Sequence, residues 1–196
     1  MRALVLIAVL PLLGACASTV QRVDPLTQTD YSGDWNDTDS RLVAEQMILD
    51  CLAKPWIEDY KAAHTGAKPV VIVGSVRNRS SEHIAIATFT KDLERELINA
   101  GKVRFVASKA EREDVREERE DQQANAGAAS MKKLRSETGA DYMLIGSIDS
   151  IVDSKGGASA VTYQVNLELI GMESNEKAWI GTKDIKKIVK RPRVGR

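Results

Sequence analysis

The chain reads as an α+β domain, in which a central mixed sheet is flanked by helices and closes in a C-terminal antiparallel meander. Three observations predict this. Between residues 69 and 107 a β-branched run, an amphipathic segment and a second β-branched run succeed one another, the order of a βαβ-like unit with a right-handed crossover. From Tyr142 onward, three stretches of apolar or alternating residues are separated by turn-forming clusters, which is how a meander reads in one dimension. Ahead of both, Ala44, Met47, Ile48, Cys51 and Leu52 share one helical face.

The chain begins with Arg2, an apolar run from Ala3 to Leu13, and Leu13-Gly14-Ala15-Cys16. That run is about half of the ~20 residues a membrane-spanning helix needs. Small residues just ahead of a cysteine make a lipobox, so residues 1–15 read as a lipoprotein signal peptide and Cys16 as the acylated mature N-terminus. The competing readings are an ordinary secretory signal with a chance cysteine, or an uncleaved anchor. Several acyl chains on one cysteine hold a protein stably where a single chain binds marginally. Ala17 stands where an Asp would mark inner-membrane retention in diderm bacteria, so the expected address is the outer membrane, facing the periplasm.

Residues 16–34 are polar and without period, which predicts the lipidated cysteine followed by a flexible tether. At ~3.3 Å per residue roughly 20 residues reach about 65 Å fully stretched, and nearer 25 Å as a coil. A globular domain is expected over 35–190. Its first helix is capped by Asp37, Asp39 and Ser40 and stops before Pro55; Trp56 and Tyr60 continue as a short second helix up to Gly66. Pro69 to Val76 is a buried strand. The next helix carries Ile86, Phe89, Leu93 and Leu97 and ends at Gly101, and Lys102 to Ala107 is the second strand of the unit. Ser108 and Glu111 match a capping box and open a charged helix with Val115 its one apolar residue between 111 and 121. That run could be an acidic docking surface, but a solvated helix with i,i+3 and i,i+4 ion pairs explains it better. Gly127 breaks it, and a further helix is expected around Met131 and Leu134, closed by Thr138-Gly139. Strands follow over Tyr142 to Ile151, Ala160 to Met172 and Ala178 to Ile188. The basic residues 191–196 read as a solvated tail that has the charge to touch an anionic lipid or glycan.

Lys and Arg number 28 and Asp and Glu 28, a balance that, with the compartment, excludes nucleic acid as a partner. With Cys16 lipidated, Cys51 has no intramolecular partner, so no disulfide framework is expected and Cys51 reads as a buried free thiol. The two histidines, His64 and His83, fit no zinc-protease spacing. Nucleophile-elbow and phosphate-loop motifs are missing from the sequence, and Ser130-Met131-Lys132-Lys133 spells S-x-x-K without its companion motifs. Asp34-x-Asn36-x-Thr38 with Glu45 is a partial calcium loop lacking the sixth-position Gly. The expectation is a protein that is not an enzyme and takes no cofactor or metal. Arg77 to Ser81 is a polar loop leaving a buried strand, a place where binding residues sit. A patch near the last two strands, using Glu176 and Arg79, is the expected partner-binding surface, with Trp179 in the core.

Several strings recur together in order: Gly33 to Ser40 (GDWNDTDS), Lys68 to Gly74 (KPVVIVG) followed by Asn78-Arg79, Gly101-Lys102-Val103, Thr138 to Leu144 (TGADYML), Leu167-Glu168-Leu169 and Trp179-Ile180-Gly181. In this order, behind a lipobox, they resemble the LpoB family of outer-membrane lipoprotein activators of penicillin-binding proteins. The resemblance covers about Gly33 to Lys187. It implies a single domain similar to the N-terminal domain of TolB, no cofactor, and docking on a small regulatory domain of a bifunctional class A penicillin-binding protein, whose glycan polymerisation and peptide cross-linking it activates allosterically. The best-known relatives have long Pro-rich tethers, whereas this tether contains Pro25 alone. A non-catalytic role in envelope assembly with a different partner, including one like that of curli-assembly lipoproteins, is the alternative.

Overall fold

A computed structural model describes residues 19–190; the expected signal peptide, Cys16 and the tail 191–196 lie outside the described residues. Among these, four helices and five strands occur. Helix α1 (Asp37–Leu52) starts one residue after Asn36, whose side chain accepts from Asp39 N while Asp39 Oδ2 accepts from Asn36 N. The expected cap at Asp37 to Ser40 therefore lies at Asn36 instead, and Asp39 is the third residue of a capping box. Helix α2 (Trp56–Ala63) follows Pro55, whose fixed φ suits a helix start. Strand β1 (Val70–Asn78), helix α3 (Ile86–Asn99) and strand β2 (Arg104–Phe105) form the expected βαβ unit, with Gly101 at φ +65° just past the helix. Strand β2 is two residues long rather than 102–107.

Helix α4 (Lys109–Asn125) has the expected Ser108–Glu111 capping box and buries none of its residues. The helix expected around Met131 and Leu134 is absent. This segment runs through turns, both side chains are exposed, and Arg135 takes φ +56°. Two apolar residues without a surface to bury them do not offset the cost of helix nucleation.

Strands β3 (Tyr142–Lys155), β4 (Ala158–Gly171) and β5 (Lys177–Lys190) complete one sheet in the order β2-β1-β3-β4-β5. Strands β2, β1 and β3 are parallel, and β3-β4-β5 is the expected antiparallel meander. Gly156 and Gly157, both at positive φ, make the two-residue β3–β4 turn. Helices α1 and α3 pack against each other on one sheet face. Val43, Ile48, Phe89 and Leu93 there meet Val71, Leu144, Ile148, Val165, Leu167 and Leu169. Each such side chain contributes about 1.5–3 kcal/mol on burial. Cys51 lies in this core as a free thiol, and burial pushes it up to about 12. Trp179 is core as expected, its indole donating to Asp50 Oδ2 at 2.9 Å.

The last residues of the expected tether are fixed against the domain. Asp30 pairs with Lys187 at 2.9 Å, Asp34 O accepts from Lys187 Nζ at 2.8 Å, and Gly33 O accepts from the buried Tyr163 hydroxyl at 2.9 Å. Gly33 lies so close to Val189 that a Cβ would collide with its side chain. Lys187 also meets Asp39 at 2.6 Å. Burial by itself would lower the Lys187 pKa, but Asp39 and Asp30 more than offset it and leave the pKa raised. From this strap the chain enters the core at Trp35, which stands edge-on to Phe89 and Tyr163.

Candidate functional site

Side chains alternate across a strand, so the residues interleaved with the core positions emerge on the sheet face opposite α1 and α3. The register places them in rows: Ile145, Glu168 and Ile180; Ser147, Asn166 and Thr182; Asp149, Gln164 and Asp184. Next to these rows the β1–β3 pairing is irregular between Val73 and Val76. There a concavity of about 490 Å³ is lined by Ser75, Arg77, Arg79, Ser147, Asn166 and Glu168. Arg79 Nε lies 3.2 Å from Asp149 Oδ1, Lys177 lies 2.8 Å from Glu168, and Thr182 donates to Asn166 Oδ1 at 2.8 Å. Arg77 on β1, Arg79 just past its end and Glu168 on β4 thus flank a floor of Ile145, Ser147 and Asn166, an arrangement suited to recognising a charged protein surface.

A second, larger concavity of about 780 Å³ lies at the other end of these strands, between α2 and the β4–β5 turn. Tyr60 and His64, one helical turn apart, stack with ring centroids 3.9 Å apart, and Tyr60 stands edge-on to Tyr142. Asp141 Oδ2 accepts from the Tyr60 hydroxyl at 2.8 Å and from Val70 N at 2.7 Å. Burial, then the hydrogen bond and charge of Asp141, push the Tyr60 phenol up to about 12, so it stays a donor at neutral pH and is no general base. Asp141 is committed to pinning α2 and β1 to the start of β3. Glu176 lies exposed in the turn, where its carbonyl accepts from Gly171 N and Asn175 takes φ +60°. Among the described residues, no group of three or more His, Cys, Asp or Glu side chains is placed to hold a metal ion, and Asn36 of the partial calcium loop is the cap of α1.

The sequence reading joined Arg79 and Glu176 in one patch, and the sheet separates them. Strand β1 ends opposite Ile148, whereas the β4–β5 turn lies beside Tyr142. Six residues along β3 correspond to roughly 20 Å at ~3.3 Å per residue. Arg79 belongs to the first concavity and Glu176 to the second. Cys16 lies outside the described residues. Arg77, which the sequence places with Arg79 in one polar stretch, lies at the end of β1 beside it; Glu168, which shares the concavity, was missed because strand register brings it there. The Tyr60–Asp141 contact spans 81 residues, and the one local sign of it is the i,i+4 spacing of Tyr60 and His64.

A family model described as peptidoglycan-synthase activator LpoB matches residues 39–185. No curated protein sequence matches the chain. Among solved structures, the chain is similar to the LpoB C-terminal domain from Salmonella enterica, with 22% identity over 68% of this chain and 94% of that one and a TM-score of 0.35. It is similar to the NMR structure of E. coli LpoB, with 18% identity over 89% and 87% and a TM-score of 0.35. A further similarity is to lipoprotein GNA1162 from Neisseria meningitidis, with 15% identity over 64% and 88% and a TM-score of 0.39.

Proposed function

This chain belongs to the family of the peptidoglycan-synthase activator LpoB, and on that premise we propose that it is an outer-membrane lipoprotein, anchored through Cys16 on the periplasmic face, that binds a bifunctional class A penicillin-binding protein and activates it allosterically. The family is one of envelope lipoproteins that regulate rather than catalyse. The observation that carries the reading is the extent of the family match, residues 39–185, which runs from the first turn of α1 into β5 and so takes in nearly the whole folded unit. Two features of the surface support it. Tyr60 and Asp141 of the larger cleft are engaged in holding the fold, and the uncovered sheet face carries exposed, oppositely charged groups around Arg79. No helix among the described residues is long and apolar enough to cross a membrane.

Activation by docking requires that the domain bind the synthase's active conformation more tightly than its resting one; equal affinity for both would shift nothing. Arg77 and Arg79 are the contacts assigned to the partner's regulatory domain, and Glu176 is a second contact site at the opposite end of β3. The test is glycan-strand synthesis by the purified class A penicillin-binding protein of the same organism, with and without the mature chain from Ala17 lacking lipid. Several-fold stimulation is expected. A folded domain that leaves the rate unchanged would favour the envelope-assembly role with another partner. Arg79→Glu should weaken binding about tenfold or more, as expected for reversing a charge within an interface, without changing the melting temperature. Glu176→Lys, measured alongside, tests the second contact independently.

A further inference from the structure

Strands β3, β4 and β5 run past the end of β1. The last β1–β3 pair is Asn78 with Ile148, so residues 151–155, 158–162 and 186–190 form a three-stranded ribbon projecting roughly 16 Å, at ~3.3 Å per residue, beyond the helix-backed sheet. Its two faces differ. On the face continuous with the core, Val161 and Val189 are covered by the strap from Asp30 to Asp34. On the other face the register sets three rows: Ile151, Thr162 and Lys186; Asp153, Ala160 and Ile188; Lys155, Ala158 and Lys190. Ile151 is 71% and Ile188 67% exposed. Among the described residues Lys155, Lys186 and Lys190 have no ion-pair partner, and Asp153 is the acid among them. Asp149 and Asp184 occupy the next row inward, where Asp149 is taken up by Arg79.

We propose that this ribbon tip is a membrane-contact site that seats the domain on an anionic phospholipid surface, with Ile151 and Ile188 entering the headgroup region and Lys155, Lys186 and Lys190 meeting lipid phosphates. Two exposed isoleucines beside these three lysines, with Asp153 in the middle row, have the composition of an interfacial contact, and juxtamembrane lysines are drawn to anionic headgroups. The course of the chain supplies the occupant. The strap brings the N-terminal segment to this end of the molecule, and Asp30 follows Cys16 by only 14 positions, about 46 Å if fully extended. In this the proposal rests on the lipoprotein reading of Cys16, since an anchored Cys16 leaves the tip as the folded end nearest the bilayer. A weak second contact matters because it adds to a lipid anchor already in place.

The test uses the mature chain from Ala17 without lipid, which retains every residue of the core. Co-sedimentation is measured with vesicles of phosphatidylglycerol and phosphatidylethanolamine, and with vesicles of phosphatidylcholine alone. Binding to the anionic vesicles, weakened by salt and reduced at least fivefold both in Ile151→Ser/Ile188→Ser and in Lys155→Gln/Lys186→Gln/Lys190→Gln, is the expected result. Ile98→Ser, at an exposed isoleucine on α3, should bind as the parent does. All three alter exposed positions, and unchanged melting curves would show that they fold. An environment-sensitive dye on Ile151→Cys should shift to the blue with anionic vesicles, while buried Cys51 stays unlabelled. Absent binding, equal binding to phosphatidylcholine vesicles, or binding indifferent to the tip variants would overturn the proposal. Mass spectrometry of the membrane-extracted protein tests acylation of Cys16 separately, so the two readings fail independently.

Discussion

Helices α1 and α4 are alike in length and in how they begin, and unlike in everything that follows. Each opens on a complete capping box, Asn36 with Asp39 and Ser108 with Glu111. Helix α1 then buries nine residues, among them Val43, Ala44, Ile48 and Cys51, and α4 buries none. Helix α4 is held by charge. Lys91 meets Glu111 at 2.5 Å, and Arg116 makes two 2.8 Å hydrogen bonds to Glu137, around which Arg112 and Arg119 also gather. A cap decides where a helix starts, and burial decides whether the rest of the fold depends on it.

The sharpest way to break this contrast is Ile48→Ala, which opens a cavity between α1 and the sheet and should cost about 2–5 kcal/mol, read as a fall in the denaturant midpoint. Asn36→Ala removes the α1 cap and should cost about 1 kcal/mol; a loss as large as that of Ile48→Ala would mean that the cap, rather than burial, holds α1 in place. For α4 the expected effects are local. Lys91 first, then the Ser108 backbone, hold the Glu111 carboxyl down at about 2 from its ordinary 4.5. The charged form is the one stabilised in the fold, so this contribution is complete above about 4.5 and is lost as pH falls toward 2. Protection of α4 amides against hydrogen exchange, relative to the intrinsic rate at each pH, should fall in that window before that of α1 does. Smallest of all, Glu137→Ala should speed exchange in α4 while leaving the global melting temperature unchanged, because its pairs are exposed.

The same contrast explains what could be read ahead of the structure. The apolar face of α1 was legible because burial writes a 3.6-residue period, and the meander because half-burial writes a period of two. The α4 capping box was legible because it is a local hydrogen-bond pattern. The supposed helix at Met131 and Leu134 was inferred from two apolar residues that have no surface to cover. The strap was hidden because Asp30 and Lys187 lie 157 residues apart, and a polar, aperiodic segment looks like a tether whether or not a distant lysine fixes it. The candidate site was the least legible part. Arg77 and Arg79 were picked out by their place at the end of a buried strand, but their neighbour Glu168 is set by register, which composition does not record.

The strap also determines where tension would enter the molecule. With Cys16 anchored as proposed, a pull between membrane and domain reaches the fold first at Thr29 and Asp30, which Asn36 and Lys187 hold, and only after these and the Gly33–Tyr163 hydrogen bond yield does it arrive at Trp35. Freeing residues 30–34 would lengthen the tether by at most about 16 Å, at ~3.3 Å per residue, while the contacts from α1 to β5 are not among those broken. Lys187, gripped by Asp30 and Asp39, is thus where the reach of the attachment is set.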